Sequence, residues 1–292
     1  MIGKTIDIII SSYNAKNLLG KNLPEIIKLS GDAGIIVVDD GSDDGTPEYL
    51  RENFPQVICL HHGKNQGFSK SMNVGIGYSQ ADFIVFLNND VVPLKGYLEE
   101  SIKYFSDKDV LGVSFNERDS SWPKVGWHGG KFQFSRGEDK SKAYYAGWLS
   151  GGSAIVRRDL LSKLHGFNEI YSPGYWEDID LGWRAWKSGL KILWIPDAKV
   201  LHQHESSFSK LNPHFVSTIK QRNELLFIWQ NFSEKKFILS HLGFLVSHSI
   251  KHPGYLRIIF IALKEYLAKG KKTKGVLSDS QVLSLINKPY ER

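Results

Sequence analysis

Gly34-Ile35-Ile36-Val37-Val38 runs directly into Asp39-Asp40-Gly41-Ser42-Asp43-Asp44-Gly45-Thr46-Pro47. An apolar, β-branched run closed by turn-forming residues reads as a buried strand, and a helix is expected to begin near Glu48. The same unit stands just before it. Ile6-Asp7-Ile8-Ile9-Ile10 ends in Ser11-Ser12-Tyr13-Asn14, and Leu18, Leu23, Ile26 and Ile27 follow at helical spacing. Residues 57–60 and 83–87 read as a third and a fourth strand. Strand, polar loop and helix in repetition specify an α/β sheet of parallel strands buried on both faces. In such sheets the ligand site lies beyond the carboxyl ends of the strands.

The strand ends carry more polarity than a connection needs. Asp39 and Asp40 follow the second strand, and Asn88-Asn89-Asp90 follow the fourth. Asn65-Gln66-Gly67 opens a helix through Ser71, Asn73 and Gly75, whose free N–H groups can receive an anion. Taken singly, each segment also reads as a turn or a helix cap. Clustered at neighbouring strand ends, they point to a binding site.

Further along, Gly151-Gly152 precede a short strand at 153–156, where the backbone can approach a ligand closely or simply turn. Tyr175-Trp176-Glu177-Asp178-Ile179-Asp180 then opens a helix on which Ile179, Trp183 and Trp186 recur at helical spacing. Carboxylates in a first turn suit the helix dipole, and an Asp beside aromatic rings can instead serve as general base. After a strand at 192–195, His202 and His204 alternate, so in a strand both face one side, as a metal site would need.

These segments, in this order and spacing, resemble the family 2 glycosyltransferases over about residues 5–207. The Asn88-Asn89-Asp90 and Glu177-Asp178-Ile179-Asp180-Leu181 versions resemble bacterial rhamnosyltransferase-like enzymes of surface polysaccharide synthesis. The resemblance implies a GT-A fold, a Rossmann-like mixed sheet flanked by helices, and inverting transfer from a UDP- or dTDP-sugar. It implies that Asp39 and Asp40 meet the nucleobase and ribose, with Ser12, Tyr13, Gly67, Asn73, Asn88, Asn89, Gly151, Gly152 and Glu177 completing the donor site. It further implies Asp178 as general base, and Asp90 with His202 as ligands of Mg²⁺ or Mn²⁺ on the donor diphosphate. His204 matches the pattern less well than His202. Asn88 stands where the commonest pattern has Asp, which leaves the metal fewer anionic ligands.

Composition narrows the alternatives. The chain has 292 residues with 8 Trp, 16 Phe and 12 Tyr, which excludes a disordered protein, and its single Cys59 excludes a disulfide scaffold or a Cys-type zinc site. One thiol suits a reducing cytoplasm. The apolar run at 6–10 is too short for a signal-peptide core, and no apolar stretch approaches the ~18 residues of a spanning helix. A cytoplasmic protein, alone or peripheral on the inner face of the membrane, is expected. A sugar-phosphate nucleotidyltransferase would use a similar sheet but needs an early Gly-rich phosphate loop, which Ser11-Ser12-Tyr13-Asn14 does not supply. A degenerate nucleotide- or glycan-binding subunit would not need Asp90, Asp178 and His202. A dinucleotide dehydrogenase would need Gly-x-Gly-x-x-Gly after the first strand.

The formal charge of +6 is unevenly placed. Residues 1–207, the expected catalytic domain, hold 23 basic and 26 acidic residues, a net of −3. Residues 208–292, the expected helical extension, hold 14 and 5, a net of +9. Two readings of this extension stand open: helices packed over the catalytic domain with a solvated Lys271-Lys272-Thr273-Lys274 loop, or attachment to anionic lipid beside a glycan or polyprenyl-linked acceptor. Nucleic acid is not expected, because the extension's aromatics sit on apolar helical faces.

Overall fold

Ile8 and Ile10 join one hydrophobic cluster and Ile9 another, and all three are fully buried, so their sheet is covered on both faces. The computed structural model describes residues 3–117, 121–203 and 212–291. The front half alternates as expected: β1 (Ile6–Ser12), α1 (Lys16–Leu29), β2 (Gly34–Asp39), α2 (Thr46–Asn53), β3 (Ile58–His61), α3 (Phe68–Tyr78) and β4 (Phe83–Leu87). Then come β5 (Val91–Pro93), α4 (Tyr97–Ile102), β6 (Val110–Glu117), a hairpin of β7 (Pro123–His128) and β8 (Lys131–Arg136), and β9 (Tyr144–Tyr145). β10 (Ser153–Arg157), α5 (Arg158–Lys163), α6 (Glu177–Lys187) and β11 (Lys191–His202) complete the sheet. Four helices follow: α7 (Pro213–Asn231), α8 (Lys235–Lys251), α9 (Tyr255–Lys269) and α10 (Asp279–Leu285).

Among the described residues the main sheet has nine strands, in the order β3-β2-β1-β4-β10-β6-β11-β5, with β9 added to β11. β3, β2, β1 and β4 are mutually parallel. From there the sheet is mixed, because β10 runs antiparallel to both β4 and β6. The carboxyl ends of β1, β2, β4 and β6 and the beginning of β10 therefore share one edge. The two strand segments expected around 192–195 and His202 are one long strand, β11, with irregular pairing to β6 between Trp194 and Lys199.

The helices beyond residue 207 enter the same core. Phe232 stacks on Trp183 of α6 with ring centroids 4.6 Å apart, and Phe227 lies 5.0 Å from Phe132 of β8. A buried ion pair joins Lys187 of α6 to Asp279 of α10 at 2.8 Å. The Lys271–Lys274 segment is strapped to α7: Thr273 N–H donates to the Gln230 carbonyl and Lys272 Nζ to the Phe232 carbonyl. The chain end then runs beside β9, where Tyr145 N–H donates to the Lys288 carbonyl and Tyr290 N–H to that of Ala143.

Candidate active site

The acidic loop after β2 is a hydrogen-bonded hub. Asp39 is fully buried and accepts from Ser42 N–H, with His61 Nδ1 at 2.8 Å. Asp40 accepts from the N–H groups of Gln66 and Gly67, both at 2.8 Å, and lies 2.9 Å from His62 Nδ1. Asp44 accepts from Lys16 N–H and from Thr46, capping two helices at once. Partial burial pushes the Asp44 carboxyl up, but the Thr46 hydroxyl and these N–H groups outweigh it and hold it below the usual carboxylate range. Gly41 is obligatory here: it has φ +77°, and a Cβ would meet the Lys64 backbone at 2.5 Å. The loop thus folds the Gln66–Gly67 turn against β2 and sets the start of α3.

The other expected donor residues fall into two groups. Ser12 is buried at the end of β1, where Asn89 Nδ2 reaches its Oγ at 3.4 Å, and Asn89 also gives its carbonyl to Asn22 of α1. Tyr13, next in the chain, is exposed. Asn88 N–H donates to the Gly152 carbonyl, and a Cβ on Gly152 would overlap the Asn88 side chain. Gly151 lies against Phe68 and Asp178. Asn73 sits apart, exchanging two hydrogen bonds with the Phe167 backbone, so its amide braces α3 against the turn after α5.

Asp90 is buried, and among the described residues only His202 approaches its carboxylate oxygens. His202, from the end of β11, brings its Nε2 to 3.3 Å from Asp90 and its Nδ1 to 3.1 Å from Glu117, the last residue of β6. Asp90 and Glu117 together raise the His202 imidazole to about 10. Ser153 Oγ donates to Glu117 in turn. Glu117 had no motif to mark it in the sequence; only the pairing of β6 with β10 and β11 brings it here. His204 lies outside the described residues.

The three carboxylates that open α6 have separate fates. Asp180 is fully buried and accepts from Tyr171 Oη, Asn231 Nδ2 and Arg184 Nε, so it anchors α6 to α7. Glu177 is buried and its Oε2 has no partner among the described residues; burial first, then the Asp178 charge, pushes its carboxyl up to about 8. Asp178 is half-buried, and desolvation raises it to about 6 against backbone N–H groups that favour the charged form. Tyr175 and Trp176, immediately before, both hold the left-handed conformation (φ +72° and +77°), a strained approach that something must enforce. Asn223 of α7 enforces it: its amide donates to the carbonyls of Tyr171, Gly174 and Tyr175. Arg222 donates to that of Ser172. Sequence reading missed Asn223, since nothing in helical periodicity separates a loop clamp from a core polar residue.

Among the described residues, no three His, Cys, Asp or Glu side chains are grouped to hold a metal by themselves. What one edge does bring together is His202 between Asp90 on its Nε2 side and Glu117 on its Nδ1 side, and Asn88, Gly152, Gly151 and Asp178 in a chain of contacts.

A glycosyl transferase family 2 model matches residues 7–165. The N-acetylglucosaminyl-diphospho-decaprenol L-rhamnosyltransferase of Mycobacterium tuberculosis is 27% identical over 226 residues, covering 63% of this chain and 72% of that protein. The rhamnosyltransferase WbbL of Escherichia coli K12 is 25% identical over 275 residues, covering 84% and 99%. Among solved structures, the mannosyltransferase PcManGT of Pyrobaculum calidifontis, in complex with GDP-Man and Mn²⁺, superposes with a TM-score of 0.60 at 19% identity over 92% of this chain and 76% of its own. GalNAc-T7 with UDP, GalNAc and Mn²⁺ gives 0.63 at 14% identity, over 80% of this chain and about half of its own (49%). The sheet and its flanking helices are those of the GT-A glycosyltransferases, and with its model matched over more than half of its length, the chain belongs to glycosyl transferase family 2.

Proposed function

We propose that this glycosyltransferase moves a sugar, with inversion, from a UDP- or dTDP-sugar to a hydroxyl of a glycan or polyprenyl-linked acceptor in cell-surface polysaccharide synthesis. The observation that carries the reading is Asp178: a raised, partly open carboxyl at a strained helix start, beside the Gly151 backbone. A base for a sugar hydroxyl must be ionised near neutrality yet hold a proton once it takes one, and a carboxyl raised to about 6 meets both needs. Asp178 would take the hydroxyl proton as the acceptor oxygen forms its bond to the anomeric carbon. The bond from that carbon to the diphosphate breaks on the opposite face, and its electron pair leaves with the nucleoside diphosphate.

The buried oxygens of Asp90, met only by His202 among the described residues, fit a cation. With the His202 ring giving up its proton on binding, these two residues would hold Mg²⁺ or Mn²⁺, whose charge would offset that developing on the leaving diphosphate. Glu117 would keep the His202 ring oriented, as carboxylates commonly do for metal-binding histidines. Asp39 and Asp40 would shape the nucleoside pocket largely through the loops they hold. The relatives named for rhamnosyl transfer make dTDP-rhamnose the first donor to test, and the decaprenol-linked name of one of them supports a lipid-linked acceptor.

The test is a panel of UDP- and dTDP-sugars scored by nucleoside diphosphate release and by protection against thermal unfolding. A donor that protects and is turned over with loss of nucleoside diphosphate supports transfer. Release of pyrophosphate would instead identify a nucleotidyltransferase, and binding without turnover a degenerate subunit.

A further inference from the structure

α8 and α9 each bury one face and leave the opposite face apolar. On α8, Phe237 and His241 are buried, whereas Leu239, Leu242, Val246 and Ile250 are exposed at spacings of three, four and four residues. On α9, Ile258 and Ala262 are buried, whereas Leu256, Phe260, Leu263 and Leu267 are exposed at spacings of four, three and four. These spacings keep each set within one narrow stripe of its helix. The eight side chains are 41–76% exposed, far more large apolar surface than scattered surface residues explain. Around them the charge has one sign: residues 235–274 hold nine Lys and Arg and a single acidic residue, Glu265, which is itself paired with Lys269 at 2.8 Å.

We propose that the α8–α9 pair is a membrane-docking surface that lays its two leucine-rich stripes into the headgroup boundary of an anionic bilayer. Aliphatic stripes flanked by cations, without acidic counterparts, complement a surface with an apolar interior and a negative headgroup layer. A protein partner of ordinary composition would be expected to meet matched charges of both signs. No helix among the described residues is long and apolar enough to cross a membrane, so the helices lie on the bilayer. The Lys271–Lys274 loop, where charge density alone puts the contact, is strapped to α7 and contributes long-range attraction while the stripes supply the insertion. The inference extends the reading of a membrane-presented acceptor and does not depend on which sugar is moved.

The experiment is flotation of the full-length protein with vesicles of phosphatidylcholine containing 30 mol% phosphatidylglycerol, and with phosphatidylcholine alone. Four proteins are compared: wild type, Leu239→Ser with Val246→Ser, Phe260→Ser with Leu267→Ser, and Lys271→Glu with Lys274→Glu. All substituted side chains are exposed, so the thermal midpoint should stay within a few degrees of wild type. Wild type should float with the anionic vesicles, each stripe variant should partition on the order of tenfold less, and the lysine variant should lose less than either. Stripe variants that float like wild type, or a wild type that stays at the bottom at low salt, would overturn the proposal. So would a wild-type dimer that the stripe substitutions dissociate without any vesicle binding, which would make the stripes a seat for a second copy. Nucleoside diphosphate release on a soluble acceptor, measured on the same preparations, separates failure of docking from failure of the glycosyl-transfer reading.

Discussion

Glu117 and His202 meet across strand ends 85 residues apart, with Glu117 Oε2 3.1 Å from the imidazole Nδ1. That contact turns Nε2 toward Asp90, so the ring's orientation is set before any ligand arrives. Replacing Glu117 with Gln should leave the fold intact and weaken Mn²⁺ binding by about 10–100-fold. Electron paramagnetic resonance titration of Mn²⁺ with UDP or dTDP present would measure it, independently of turnover. An unchanged Mn²⁺ affinity would remove Glu117 from the site.

Asp178→Asn keeps the shape of the side chain and removes its basicity. Donor protection against unfolding should persist, while transfer falls by on the order of 100-fold or more. On the proposed role the active form is the carboxylate, whose folded pKa is raised to about 6. Activity should therefore fall as pH drops through about 6, and the Asn variant should lose that limb of the profile.

Glu177 gives a stability prediction with a definite sign. Its folded carboxyl is raised from 4.5 to about 8, so the native state holds a proton that the unfolded chain releases above its lower value. Stability from this group is fully present below about 4.5 and is lost as pH rises through about 8. Glu177→Gln should flatten that decline, seen as a smaller drop in Tm between pH 5 and 8.5 than in the wild type.

Asn223→Ala removes the donor shared by three carbonyls of the loop before α6. Leaving buried carbonyls unpaired should destabilise the protein by about 2 kcal/mol. Because the same loop aims Asp178, kcat should fall while donor KM changes little. A loss of stability with kcat unchanged would make Asn223 a packing residue only.

Asp279 accepts from Lys187 Nζ and from the N–H groups of Ser233 and Glu234 in a buried setting. Asp279→Ala leaves the Lys187 cation without its partner and should cost about 3–5 kcal/mol, measured by chemical denaturation. A change below about 1 kcal/mol would show that α10 is dispensable to the catalytic core.

The front of the fold was legible because β1, β2 and β4 are short β-branched runs closed by polar turns, a pattern set by local chemistry. The third strand shifts by a residue to Ile58–His61, where its end supplies the His61 contact to Asp39. The middle was harder to read: β6 through β9 carry mixed residues whose strand character comes from their neighbours, and β10 enters antiparallel where alternating α/β units suggest parallel strands. The motifs gather at one edge of the sheet, but their contacts there could not be read from sequence. Asp40 and Asn73 satisfy backbone groups within the protein, and Glu117 and Asn223 act through contacts that only the tertiary fold creates.

β10 lying antiparallel between β4 and β6 has a consequence for how this scaffold could be diversified. The chain leaves β6 at Glu117 and enters β10 at Ser153, both on the ligand edge, and these two residues are hydrogen-bonded to each other. The β7–β8 hairpin and β9 therefore belong to one excursion that departs from and returns to the same rim. Such an insert can be exchanged between enzymes as a cassette while the rest of the sheet keeps its register, provided the graft retains the β9 pairing with β11 and an aromatic at Phe132 to meet Trp183 and Phe227. Variation in what the enzyme accepts could thus accumulate in one replaceable segment of the chain.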